Sequence, residues 1–71
     1  GQTEKVENYL KRSAEVYKSR FGNQNPNYAK VLSDLGNFYR IQGRYAEAEQ
    51  NLTESMTIRN TALDTNHPDY V

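Results

Sequence analysis

Residues 32–52 read "LSDLGNFYRIQGRYAEAEQNL": two stretches of helically spaced apolar residues with one glycine-centred break between them. Leu32, Leu35 and Tyr39 recur at steps of three and four, which places them on one side of a helix. Tyr28 extends that stripe upstream, with Val31 and Phe38 beside it. "QGR" (42–44) stops the helix, and Gly43 suits the left-handed conformation that closes a helix C-terminus. Beyond the turn, Tyr45, Ala48, Leu52, Ser55, Met56, Arg59 and Leu63 fall at helical spacing, so a second helix is expected from about Tyr45 to Leu63. Gly36 and Ala48 are small where the two axes come close, and Leu32, Leu35, Tyr39 and Leu52 fill the space around them.

Outward from this hairpin the same punctuation recurs. "GNQNPN" (22–27) gathers Gly, Asn and Pro, so Asn25 can cap a helix whose first residue is Pro26 and which runs to Ile41. Before it, Val6, Leu10, Ala14, Tyr17 and Phe21 mark an amphipathic helix over Thr3 to Phe21. After the third helix, "DTNH" (64–67) reads as a loop and Pro68 as the opening of a fourth helix. The chain is therefore all-α, with three helices and the start of a fourth.

Pro26 and Pro68 stand 42 residues apart, and sliding the chain by that step reveals an internal repeat. Gly1 then meets Gly43, Glu7 meets Glu49, Leu10 meets Leu52, Ser13 meets Ser55 and Tyr28 meets Tyr70. Val16/Ile58 and Phe21/Leu63 match in character. These pairs fall on turns, helix openings and apolar stripes, where a structural repeat needs them. With that period, the stretch 32–52 resembles the tetratricopeptide repeat: Leu32 stands where the pattern has Trp, followed by Leu35-Gly36, Tyr39, Ala48, and Leu52 where the pattern has Phe. The usual repeat has about 34 residues, whereas this one has 42 and closes on "NHPDYV". That variant looks like the kinesin light chain type. The resemblance implies a solenoid of antiparallel helix hairpins, with residues 26–67 as one full repeat, 1–25 as the second helix and loop of a preceding one, and 68–71 as the start of the next.

Either the chain begins mid-repeat or the Gly1 match is accidental; in both cases its helices read as second, first, second and a stub. Repeats of this kind bury their faces against neighbours. Open faces are thus expected at both ends, leaving the isolated chain partly unfolded or self-associated.

Composition sets the remaining bounds. Leu, Ile, Val and Phe make up only 13 of 71 residues, but six tyrosines add large apolar surface, and nine basic residues balance nine acidic ones. Zero net charge supplies no long-range pull toward nucleic acid or anionic lipid. There is no cysteine to form a disulfide or a thiolate site. No apolar run approaches the roughly 20 residues of a membrane span, and no signal-peptide core is present. A soluble, cytoplasmic chain is the expectation.

His67, the only histidine, sits beside Pro68 and Asp69 and invites a metal or general-base reading. No second His or Cys exists to complete a ligand set, and Ser13, Ser19, Ser33 and Ser55 lie on helices without the sharp turn a nucleophile needs. Punctuation accounts for it better: Asn66 or His67 would cap the helix that Pro68 opens, as Asn25 does for Pro26. Gly22, Gly36 and Gly43 are too dispersed for a phosphate loop. "NLT" (51–53) matches a glycosylation acceptor but lies inside a helix whose Leu52 is expected to be buried. No catalytic, cofactor or metal set is read, and the chain is not expected to be an enzyme. Lys5, Lys11, Arg12, Lys18 and Arg20 outnumber Glu4, Glu7 and Glu15 on the first helix, which a solvated face explains.

The resemblance implies a function in protein binding: first helices line a concave groove that receives a peptide. Opposite the packed Leu32/Leu35/Tyr39 stripe, the positions that would face it are Lys30, Ser33, Asp34, Asn37, Arg40 and Ile41. Asn37 and Arg40 lie one turn apart and offer an amide for a peptide backbone and a guanidinium for a carboxylate. An extended partner segment with acidic character is the expectation. The competing readings are that these residues are merely solvated, or that the chain is a structural or self-association module.

Overall fold

Asn25 decides where the central helix begins. Its backbone is extended, and its side-chain oxygen accepts hydrogen bonds from the Asn27 and Tyr28 amides at 2.8 and 3.3 Å. Pro26, with no N–H to satisfy, takes the first helical position. The computed structural model describes the backbone of residues 1–66 and side chains through Thr61. Over that span it contains α1 (Gln2–Phe21), α2 (Pro26–Ile41) and α3 (Tyr45–Asn66), and no strand among the described residues. Gly43 closes the α2–α3 turn at φ 80°, as its position after α2 predicts. The Arg44 amide donates to the Tyr39 carbonyl at 2.8 Å, so the turn satisfies one of the carbonyls that α2 leaves free.

α2 packs against both other helices and most extensively against α3. The core holds Tyr28, Ala29, Val31, Leu32, Leu35 and Tyr39 from α2, Ala48 and Ile58 from α3, and Ala14 from α1. Leu10, Tyr17 and Phe38 pack half-buried around it. Gly36 allows the closest approach of α2 and α3: a Cβ there would lie 2.5 Å from Leu52 Cγ and 3.2 Å from the Ala48 carbonyl oxygen. The small residues thus sit where the hairpin reading put them.

One expectation needs correction. α3 continues through Asp64, Thr65 and Asn66, where a loop was expected. These are weak helix formers, but neither Gly nor Pro interrupts the ladder before Pro68. Asn66 accordingly extends α3 rather than capping a further helix, while His67, Pro68 and the expected fourth helix lie outside the described residues. Within α3, Tyr45 and Met56 are 68% and 63% exposed, whereas Ala48, Ser55 and Ile58 are buried. Among the described residues only one side of α3 is covered, by α2, and the side chain of Leu63 lies outside them. On α1, likewise, Val6 and Phe21 are exposed while Ala14 is buried.

Candidate functional site

Residues of α2 divide by the helix each one meets. Ala29, Ser33 and Gly36 form a row at steps of four and three on the side facing α3. Ser55, 2% exposed, donates its hydroxyl to the Ala29 carbonyl at 2.6 Å and lies 2.6 Å from Ser33 Oγ. Because the Ser55 proton is committed to Ala29, Ser33 donates to Ser55. Ser33 therefore joins α2 to α3, and its hydroxyl is not presented on the open side of the helix.

The other sequence-predicted positions, Lys30, Asp34, Asn37, Arg40 and Ile41, are exposed. None of the four polar ones makes a side-chain hydrogen bond or ion pair among the described residues. Lys30 and Asp34, together with Asn27, line one wall of a trough of about 300 Å³ whose other wall is Tyr9, Ser13 and Tyr17 of α1. Asn37, Arg40 and Ile41 continue along α2 beyond it. Ile41, 75% exposed, is the largest apolar group on this side.

A charged cluster that the sequence reading did not anticipate holds α1 at its angle to the hairpin. Arg44 binds Glu47 through two bonds of 2.7 Å, reaches Glu7 at 3.2 Å and lies 4.5 Å above the Tyr39 ring. The Tyr39 hydroxyl donates to Glu7 at 2.9 Å, and Lys11 stands 3.3 Å from the same carboxylate. The Arg44/Glu47 pairing at (i, i+3) was visible in the sequence. Glu7 lies 37 residues from Arg44, and no local pattern joins them.

The Tyr39 phenol, and then Arg44, hold the Glu7 carboxyl below its ordinary value of 4.5. Arg44 does the same for Glu47. Burial, reinforced by Glu7, pushes the Tyr39 phenol up. A carboxyl with a depressed native pKa adds stability that is fully present above its unfolded value and disappears as pH falls through the native one. The urea midpoint of the protein is therefore expected to hold steady from neutral pH to about 5 and to fall below about 4.5. Glu7→Gln should lower the midpoint at pH 7, and its difference from the wild type should shrink in acid. A difference that persists unchanged at pH 3 would refute this assignment.

A family model described as tetratricopeptide repeat matches residues 1–61 and again 29–71. The chain belongs to the tetratricopeptide repeat family. No curated protein and no solved structure matches it significantly. Tetratricopeptide repeats generally mediate protein–protein interactions and are typically non-catalytic scaffolds. In this repeat, Leu32, Leu35, Gly36, Tyr39 and Ala48 are buried and Leu52 is half-buried, so the motif positions serve packing. Among the described residues no helix is long and apolar enough to cross a membrane.

Proposed function

We propose that the chain is a binding scaffold of the 42-residue, kinesin light chain-like type, working in the cytoplasm and capturing an extended partner segment along the open side of α2. One observation carries this reading: Lys30, Asp34, Asn37 and Arg40 are exposed along one helix, and their side chains bond to nothing else among the described residues. An amide and a guanidinium with free valences suit a peptide backbone and a carboxylate. Ile41 adds an apolar contact at the same end. An acidic segment is favoured because Arg40 and Lys30 can pair with it, whereas Asp34 restrains how much negative charge is tolerated.

Selection of a random peptide library on the 71-residue chain tests the proposal. Peptides bearing Asp, Glu or a C-terminal carboxylate are expected to be enriched. The double variant Asn37→Ala, Arg40→Ala should bind them at least about tenfold more weakly, since hydrogen bonds to a charged group contribute about 1.5 to 3 kcal/mol. Unchanged affinity with unchanged helicity would overturn the groove reading. The alternative, a structural or self-association module, draws on the exposure of Val6, Val16, Phe21 and Met56. It predicts concentration-dependent sedimentation and no enrichment of any peptide.

A further inference from the structure

Charge follows a fixed order along the open side of α2. Lys30, Asp34 and Arg40 are exposed, and none of them pairs with another group among the described residues. Lys30 and Asp34 stand one turn apart without an ion pair, and base before acid is the weaker order for such a pair on a helix. With a rise of about 1.5 Å per residue, Asp34 lies about 6 Å and Arg40 about 15 Å along the axis from Lys30. Asn37 falls between them at about 10.5 Å. Around the axis, Lys30, Asp34 and Asn37 lie within about 60° of one another, and Arg40 about 60° beyond Asn37. The long Arg40 side chain can span that offset.

An extended segment presents one face at every second residue, a repeat of about 6.7 Å. Three successive residues on that face stand at about 0, 6.7 and 13.4 Å, each within about 2 Å of the level of Lys30, Asp34 or Arg40. We infer that α2 selects a partner segment bearing an acid, a base and an acid at alternate positions, with Asp34 choosing the base. The assignment rests on capture of an extended segment by α2 and adds the register of that segment's charges. Carboxylates beside Lys30 and Arg40 satisfy the two cations. A third carboxylate between them stands opposite Asp34 and is repelled, whereas an ammonium or guanidinium there completes three opposite pairs. Asn37, level with the residue that follows the base, offers its amide to the partner backbone. Order of charge, and not acidity alone, then decides affinity. A second copy of this stripe is a poor occupant, because its order of base, acid, base sets like charge against like in either orientation.

Three capped peptides titrated into the isotope-labelled 71-residue chain, followed by amide chemical shift, test this register. They contain Glu-Thr-Lys-Thr-Glu, its permutation Lys-Thr-Glu-Thr-Glu, and the more acidic Glu-Thr-Glu-Thr-Glu. The first should bind about fivefold more tightly than either of the others, with shifts centred on Lys30, Asp34, Asn37 and Arg40. That preference should fall as salt is added. In the chain, Asp34→Asn should level the first and third peptides, and Asp34→Lys should favour the third, both without loss of helicity because the position is exposed. If no acidic peptide binds, or if Asn37→Ala, Arg40→Ala leaves every affinity unchanged, the groove reading fails and this inference falls with it. If acidic peptides bind and that double variant weakens them, but the two permuted peptides are equal or Asp34→Lys leaves their order intact, the charge register alone is overturned. Sedimentation showing the stripe closed by a second copy would also overturn it.

Discussion

Replacing Leu35 by alanine is expected to destabilise the fold by about 2 to 5 kcal/mol, the range for emptying a well-packed leucine site. Leu35 is 4% exposed and belongs to the cluster in which α2 meets its neighbours. A chain of 71 residues has only about 4 to 10 kcal/mol of stability to lose. The variant should therefore show a much lower urea midpoint or no cooperative transition. The effect extends beyond one contact because α2 carries the main packing of both α1 and α3. When α2 loosens, neither of the other helices keeps a partner large enough to hold it. Ile41→Ala is the matching control: at 75% exposed it should shift stability by no more than about 0.5 kcal/mol. A Leu35→Ala midpoint close to that of Ile41→Ala would remove Leu35 from the core.

How far such residues could be found from sequence depended on whether local pattern or distant pairing placed them. The start of α2 was legible because Asn25 and Pro26 perform distinct tasks at adjacent positions, and its end because Gly43 adopts a backbone conformation few other residues tolerate. Leu32, Leu35, Tyr39 and Ala48 were legible as core because several motif positions had to agree at once. Ser33 was harder. It neighbours the polar face on a helical projection, but the row from Ala29 to Gly36 carries it toward α3, where Ser55 gives it a partner. In α3, apolar spacing alone admitted Met56 as readily as Ile58, and only the position of α2 selects between them. The clamp formed by Glu7, Tyr39 and Arg44 was invisible to any local rule, since it joins groups 32 and 37 residues apart. Of the six positions expected to face a concave groove, Lys30, Asp34, Asn37, Arg40 and Ile41 are exposed and Ser33 is half-buried.

Gly36→Ala is expected to lower stability even though alanine is the better helix former. The gain in helix propensity is about 1 kcal/mol. Against it, the added Cβ would stand 2.5 Å from Leu52 Cγ, 2.7 Å from Leu52 Cδ2 and 3.2 Å from the Ala48 carbonyl oxygen. Rotating the end of the leucine side chain can clear Cδ2. Clearing Cγ requires turning Leu52 about its Cα–Cβ bond and out of its packed rotamer, and no rotation moves the backbone oxygen of Ala48. α2 and α3 must therefore move apart, which strains the short bonds from Ser55 to Ala29 and Ser33. Overpacking of this kind costs about 1 to 3 kcal/mol, so the net change should be a loss of up to about 2 kcal/mol. Gly36→Val, with a branched Cβ in the same place, should lose more and approach the Leu35→Ala result. The cause can be isolated by a double-mutant cycle with Leu52→Ala. Truncating Leu52 in the wild type removes a half-buried side chain and destabilises; in the Gly36→Ala background it also relieves the clash. The two changes should then couple by about 0.5 to 3 kcal/mol in the stabilising direction. Additivity to within about 0.3 kcal/mol would mean that Gly36 is not the point at which these helices touch.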